Sequence, residues 1–194
     1  MAESLNSDVG LGEFTALPAD VNNAAEGEAY SSATKSGNIF CKIEIAGNAV
    51  TASRTEGYEE WTSLNTMDVL DITRQTNPNP TQDKKASGRV IVKNTPLLIP
   101  HEKSSVDITQ ALLDGSDCTI YVTRLGHFKG EQRKPIEEYV FTNCEIQRVI
   151  DKGDMIMVVY RASKVTKTVN AYDIDGTGTG SSEFTYDIAL NKAE

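Results

Sequence analysis

The chain has 194 residues, which is enough for one domain with a substantial core. Its composition is that of a globular protein, with 39% hydrophobic residues, a mean hydropathy of −0.36 and no apolar run of about 18 residues that would span a bilayer. A formal charge of −9 does not supply the cationic surface that phosphate neutralisation requires, which argues against wrapping nucleic acid.

The charge is distributed unevenly along the chain. Residues 1–37 carry six acidic residues and one basic residue, whereas residues 38–194 have a net charge of −4. The first segment has apolar residues too scattered to form a face, so we expect a flexible acidic arm at 1–37 and one β-rich domain at 38–194. Residues 1–20 have neither a basic start nor an apolar run, so no signal peptide is predicted.

Alternating side chains predict strands from residue 38 onward. Ile39, Cys41 and Ile43, for example, alternate with Phe40 and Lys42. Strands are predicted at residues 39–45, 49–55, 61–74, 88–93, 118–125, 136–150, 155–169 and 184–190, with a tight turn at 151–154 and a flexible glycine loop at 176–180. Residues 76–85 hold two prolines and two asparagines without an apolar anchor, which predicts a long solvated hairpin loop.

One helix is predicted between the strands. Ser104 or Ser105 can cap its start, Asp107 favours its positive end and Gly115 ends it. With about eight strands, the fold class is mainly β: an antiparallel barrel or sandwich with one short flanking helix. The strand at residues 155–160 is apolar on both faces, which predicts that a neighbouring subunit covers the second face.

The three cysteines are Cys41, Cys118 and Cys144. Their number is odd and they lack tight spacing, which favours a reducing compartment over a disulfide framework. Each lies among apolar or alternating residues, so we expect buried, small hydrophobic side chains.

Two glycine-containing patterns partly resemble ligand sites. Residues 173–178 copy the first half of a calcium loop, but position twelve is Phe184 rather than Glu, so a turn is favoured. The glycines at 176, 178 and 180 precede neither a helix nor a Lys-Ser/Thr pair, which argues against a phosphate loop. The sequence therefore predicts no metal and no cofactor.

The titratable residues do not form a catalytic arrangement. His101 and His127 are expected at the surface, and no nucleophile elbow or metal motif accompanies them. The adjacent carboxylates at 59–60 and 137–138 would point to opposite faces of a strand, so they cannot act together on one substrate. The protein is not expected to be an enzyme.

The order of elements resembles the haemolysin-coregulated protein (Hcp) family of type VI secretion inner-tube subunits and the related tail-tube proteins of contractile phages. The segments that carry the resemblance are Ile39-Phe40-Cys41-Lys42-Ile43, Tyr58-Glu59-Glu60-Trp61, the loop at 77–87, the strand at 88–93, Lys103-Ser104-Ser105 with the helix at 107–113, Val158-Val159-Tyr160-Arg161-Ala162, and residues 172–176 with 184–188. The resemblance covers about four-fifths of the chain, as a pattern of elements with few fixed identities.

The resemblance implies a structural role. Six copies would form a ring, and rings would stack into a hollow tube inside a contractile sheath, on a baseplate or spike, with effectors or phage DNA passing through the lumen. It implies assembly in the bacterial cytoplasm followed by secretion or incorporation into a virion, without membrane insertion by this chain. The long arm and the charged segment at 125–135 leave secretion system and phage tail both open. The rival interpretation is a monomeric secreted β-sandwich, acting as a binding module or an effector, which would need an exposed aromatic platform.

Two sets of residues are candidates for the assembled tube. Those expected at contacts between subunits lie in the long loop and the two-faced strand: Asn77, Pro78, Asn79, Pro80, Asp83, Lys84, Lys85, Met155, Met157 and Val159. The candidates for an acidic lumen wall, which would repel a passing polyanion, are Glu44, Asp68, Asp71 and Glu145.

Overall fold

The computed structural model describes residues 38–53, 57–66, 68–75, 89–129, 133–190 and 192–193, and the predicted arm at 1–37 lies outside these ranges. Twelve strands and one helix are present among them. They are β1 (Ile39–Ile45), β2 (Asn48–Ala49), β3 (Thr62–Ser63), β4 (Leu70–Gln75), β5 (Arg89–Asn94), β6 (Leu97–Pro100), α1 (Ser104–Asp114), β7 (Asp117–His127), β8 (Arg133–Lys152), β9 (Met155–Arg161), β10 (Lys164–Tyr172), β11 (Gly178–Asp187) and β12 (Lys192–Ala193).

Ten of the strands form one curled antiparallel sheet, and β4 and β5 form a separate hairpin. The main order is β12-β11-β10-β8-β7-β1-β2, with β3 paired to β1 and β9 paired to both β6 and β8. The hairpin pairs Leu70 with Asn94 and Gln75 with Arg89, so the strands that flank the predicted long loop are joined as expected. The fold is therefore mainly β with one short helix, as the sequence predicted.

The 20-residue strand β8 organises the sheet. Along one edge it pairs first with β10, from Glu137 to Thr142, and then with β9, from Glu145 to Lys152. Asn143 lies between these two stretches with a positive φ of 49°, next to a register shift in the β7–β8 ladder. The bulge bends the strand, because an extra residue there has no partner.

The core lies on one face of the sheet. Every second side chain of β1, β7 and β8 points into it, and its largest fully buried members include Phe141, Ile120, Ile43, Tyr160 and Ile108. The Phe141 and Tyr160 rings meet edge to face at 5.4 Å. This alternation is what predicted the strands.

Helix α1 packs one face against the core. Ser104, Ser105, Ile108 and Ala111 are buried, whereas Val106 and Leu113 are exposed. Both serines lie inside the first turn and Lys103 occupies the N-cap position, so the prediction of a serine cap is wrong.

The end of α1 is as predicted. Gly115 ends the helix with a left-handed φ of 64°. Among the residues described here, no helix is long and apolar enough to cross a membrane.

Both faces of β9 are covered within the chain itself. Ile156, Val158 and Tyr160 face the main core, while Met155 and Met157 pack with Leu98 of β6 and Ile150 of β8 in a second cluster. Met157 is 1% exposed and Val159 is 6% exposed. The reasoning that apolar faces on this strand require a neighbouring subunit is therefore corrected.

Four predicted strands differ from those observed. The segment at 155–169 is broken at residues 162–163 into β9 and β10, opposite the bulge at Asn143. The segments at 49–55 and 61–74 form only β2, β3 and β4, separated by irregular backbone, and β6 was not predicted. The closing strand begins at Gly178, so residues predicted as a flexible glycine loop lie partly in β11.

The two ends of the large sheet are unlike. The outer edge of β1 is occupied by the chain that follows it: β2 and β3 pair with it, Val50 donates to the Ile43 carbonyl oxygen at 2.9 Å, and Leu64 donates to that of Ile39 at 2.9 Å. At the other end, β11 pairs with β12 only at Tyr186 and Asp187. Among the described residues, β11 therefore has an open ladder edge over residues 178–185.

Candidate assembly surface

The face of β1 and β7 opposite the core carries an aromatic cluster, defined as Phe40, Tyr58, Trp61 and Tyr121. Phe40 stacks on Tyr58 at 5.2 Å, and Trp61 meets Tyr58 at 5.7 Å and Tyr121 at 6.4 Å. The rings pack on one another and three of them are half-buried, so they form a small second core. This is not the open platform that a binding module would need.

Lys42 and Glu44 extend this cluster with charge. Lys42 Nζ lies 2.8 Å from Glu44 Oε1 and 3.6 Å from Glu60 Oε2, and it sits 4.6 Å from the centre of the Tyr121 ring. The Tyr121 hydroxyl donates to Glu44 Oε2 at 3.1 Å. The hydrogen bond from Lys42 lowers the pKa of Glu44, and the same bond raises the pKa of Lys42.

The sheet face that carries the core also carries an exposed patch on β8, β10 and β11. This patch is defined as Glu137, Lys167, Val169 and Phe184. Lys167 Nζ lies 3.3 Å from Glu137 Oε1, and Val169 and Phe184 are 41% and 39% exposed. A hydrogen bond with Tyr139 and the nearby Glu137 raise the pKa of Lys167. This patch adjoins the open edge of β11, so exposed apolar area and unpaired backbone lie side by side.

The segment at 173–177 is a tight turn between β10 and β11. Asp173 Oδ1 accepts hydrogen bonds from the backbone of Asp175 at 3.0 Å and Thr177 at 2.8 Å, so its carboxylate is used within the turn. Lys134 Nζ donates to the Gly176 carbonyl oxygen at 2.7 Å. Within the described ranges, no group of three or more His, Cys, Asp and Glu side chains could hold a metal ion.

The four predicted lumen acids lie in three different settings. Glu44 on β1 and Glu145 on β8 both lie on the sheet face opposite the core, since Ile43 and Cys144 beside them are buried. Asp71 lies on the separate hairpin, opposite Lys93. Asp68 is exposed but belongs to no strand, so its assignment to a strand is corrected. Which of them faces a lumen stays a prediction.

A polar cleft of about 470 Å³ lies beside Glu145. Glu145 stands between Asp117 on β7 and Arg161 on β9 in the sheet. The remaining lining residues are Asn143, Ala162, Ser163, Ile188 and Ala189. The cleft thus holds two carboxylates and one guanidinium, a mixed charge set without a nucleophile and base in contact.

The histidines lie where the sequence placed them, at the surface. His127 Nε2 is 2.9 Å from Asn38 Oδ1, and His101 Nε2 is 3.6 Å from Asp151 Oδ1. The seven loop residues predicted to contact a neighbour, from Asn77 to Lys85, lie outside the described residues. Met155, Met157 and Val159 are placed in the chain's own interior, and their contact with another subunit stays a prediction.

No protein-family model and no curated protein matches the sequence. Solved structures do match its fold. A type six secretion system protein is 13% identical with a TM-score of 0.63, and the match covers 80% of this chain and 99% of that one. Hcp1 from Salmonella typhimurium is 13% identical with a TM-score of 0.55, over 81% and 99% of the two chains. The secreted protein Hcp3 from Pseudomonas aeruginosa is 15% identical with a TM-score of 0.51, over 74% and 97%.

The chain has the Hcp fold. The matches cover 97–99% of those chains and 74–81% of this one. Identities of 13–15% explain why the resemblance in sequence rests on the order of elements and not on fixed residues.

Two features of this Hcp fold were not predicted. The open edge of β11 could not be found, because the glycines and serines of residues 178–182 give no strand alternation. The pairing of Glu137 with Lys167 was also missed. The β-branched residues at 165, 166, 168 and 169 are typical of a strand, but they do not indicate which side chain Lys167 pairs with.

We predict that Glu44→Gln lowers the free energy of unfolding by about 1 kcal/mol at pH 7, because it removes the charge that Lys42 and Tyr121 bind. The folded pKa of Glu44 lies below its ordinary value of 4.5, so its contribution is present above that value and is lost as the pH falls through the folded pKa. The difference between variant and wild type should therefore shrink between pH 5 and 3, roughly the range of carboxylate titration. Urea unfolding followed by circular dichroism measures it.

Glu145→Gln is the matched control for this experiment, since Glu145 is an exposed glutamate on the same sheet face. It should change stability by less than about 0.5 kcal/mol. A Glu44→Gln deficit that is as large at pH 3 as at pH 7 would contradict the electrostatic explanation.

Proposed function

We propose that the protein is a structural subunit of the inner tube of a contractile injection machine, in which rings of six copies stack around a lumen. The observation that carries the proposal is the Hcp fold, shared over 74–81% of this chain with proteins of type VI secretion. Its role is mechanical and not catalytic. Its partners are then further copies of itself, a surrounding sheath and a baseplate or spike, and effectors or phage DNA pass without specific binding.

The open edge of β11 supports contact between neighbouring copies. An unpaired strand edge presents backbone N–H and C=O groups that bind another extended segment. The β4–β5 hairpin is a suitable counterpart, because it makes no ladder with the large sheet. A contact between two different surfaces is heterologous, and it closes into a ring when the rotation per copy allows.

The exposed patch beside that edge supports the same contact. Val169 and Phe184 would lose solvent exposure against a neighbour, at about 25 cal/mol per Å² of apolar area buried. Lys167 and Glu137 would form its polar rim. The loop at 77–87 is proposed to contact an adjacent subunit or ring, and Met155, Met157 and Val159 to lie near that contact.

The chain is proposed to assemble in the bacterial cytoplasm and to leave it through the machine or in a virion. The acidic arm at 1–37 is proposed to remain a flexible extension of the tube domain. A monomeric binding module is disfavoured, because the aromatic rings of the described sheet face pack on one another.

The proposed function predicts rings or tubes in negative-stain electron microscopy of the purified protein, with a mass by light scattering several times that of the 21.1 kDa chain. Concentration should promote tube growth, since stacking is an association between rings. A monodisperse monomer at high concentration, with no rings or tubes on the grid, would overturn the proposal.

We predict that Glu183→Pro abolishes rings and leaves the chain folded. Ile188 donates its backbone N–H to the Ser163 carbonyl oxygen, so even-numbered residues in this register direct their N–H groups toward β10. Odd-numbered β11 residues, including Glu183, therefore direct their N–H groups toward the open edge. Proline at 183 therefore removes an N–H on the open edge and not one in the β10 ladder. Light scattering and circular dichroism report assembly and folding separately.

Glu183→Ala is the matched control, because it removes the same carboxylate but keeps the N–H. It should assemble like wild type. Rings that persist in a folded Glu183→Pro protein would rule out the β11 contact while leaving the tube proposal intact.

The lumen is proposed to carry more carboxylates than bases, with Glu44, Asp68, Asp71 and Glu145 as candidates. We predict no measurable affinity for duplex DNA at about 0.15 M salt, because a cationic wall would retain phosphates during passage. A gel-shift titration at low and moderate salt measures it.

The double variant Asp71→Lys with Glu145→Lys tests the proposed lumen wall. It should bind DNA in a salt-sensitive way only if DNA can reach those two positions. Micromolar, salt-sensitive binding by wild type would contradict an acidic lumen.

A further inference from the structure

Two of the three cysteines face each other across the β7–β8 ladder. Cys118 on β7 stands directly opposite Cys144 on β8. Both side chains belong to the main core, at 3% and 0% exposure, so they project from the same face of the sheet. Neither thiol is in a disulfide.

This placement satisfies the distances of a disulfide. Residues directly opposite in an antiparallel ladder have Cα atoms about 4.5 to 5.5 Å apart. A disulfide joins Cα atoms that are about 4.4 to 6.8 Å apart, provided that the side chains point the same way. Cys144 also follows Asn143, whose φ of 49° marks the bulge in β8.

We propose that Cys118 and Cys144 form an intrachain disulfide when the protein folds in the presence of a small-molecule disulfide oxidant. Cys41 is excluded as a partner. It stands opposite Val122, whereas Ile45 is the β1 residue opposite Cys118. Cys41 is therefore four residues along the strand from the position opposite Cys118, a distance of roughly 13 Å that a disulfide cannot span.

The reaction is a two-step thiol–disulfide exchange with oxidised glutathione. The Cys118 thiol loses its proton and its sulfur attacks the glutathione disulfide, which releases one glutathione thiol and leaves a mixed disulfide. The Cys144 sulfur, after losing its proton, attacks the Cys118 sulfur and releases the second glutathione thiol. Two cysteine thiols are thus oxidised to one disulfide, and one glutathione disulfide is reduced to two thiols.

In the folded chain the two thiols have different environments. The hydrogen bond from Cys144 lowers the pKa of Cys118, while that same contact and burial raise the pKa of Cys144. Burial also raises the pKa of Cys41 to about 12, so this thiol is a poor nucleophile in the folded chain. Because all three are buried, the exchange occurs during folding or on opening of the chain.

The test is a redox titration of the wild-type chain. Protein unfolded in urea with reductant is refolded in buffers of increasing reduced-to-oxidised glutathione ratio, the thiols are trapped by alkylation, and the intact mass gives the number alkylated. We expect one alkylated thiol in the oxidised protein, peptide mapping that links residues 118 and 144, and a transition at a ratio at least tenfold more reducing than for the same chain kept in urea. The control Cys144→Ala should give no intrachain link.

An identical transition for the folded and the urea-unfolded wild-type chain would overturn the proposal, because the fold would then not align the pair. A link that includes Cys41, or a stable mixed disulfide with glutathione in place of the link, would overturn it as well. Both comparisons use the wild-type protein, so they do not depend on whether any variant folds.

Discussion

The fold depends on the pairing of one long strand, β8, with two shorter strands that follow each other along one of its edges. Strand β8 runs unbroken for 20 residues, and the next stretch of chain follows its edge first as β9 and then as β10. Residues 162–163, which separate β9 from β10, lie opposite the bulge at Asn143. Beyond the break, β9 turns its other edge to β6 and β10 turns its other edge to β11. One long strand thereby belongs to two parts of the sheet, one continued by β9 and β6 and the other by β10 and β11.

The polar and apolar surfaces follow from this division. The part built on β9 is buried on both faces: Val158 and Tyr160 face the core, and Met157 on the other face is 1% exposed. The part built on β10 and β11 extends past the core, which leaves Val169 and Phe184 exposed beside Lys167. The surface proposed for assembly is thus the portion of the sheet that the chain itself does not cover.

Local patterns predicted most elements and few of their partners. The alternation at 39–45, the Gly115 helix end, the turn at 151–154 and the hairpin around the long loop all depend on neighbouring residues, and the structure contains each of them. The break at 162–163 was not predicted, since it results from register with a strand some 20 residues away. Similarly, strand alternation predicted that Glu44 and Ile43 lie on opposite faces of the sheet. It could not predict the hydrogen bond that Glu44 accepts from Tyr121, because the two residues are 77 positions apart.

The unlike ends of the large sheet also limit how the sheets of two copies can join. Sheets with two open edges grow by repeated addition of copies, which is the route to fibres. Here the edge of β1 is already hydrogen-bonded by residues 48–64, so a copy that docks its sheet on β11 offers no equivalent edge for the next one. Runaway β-polymerisation of the large sheet is therefore terminated after a single addition. The fold thus removes one of the two edges through which the described sheet could extend, and leaves the β11 edge as the other.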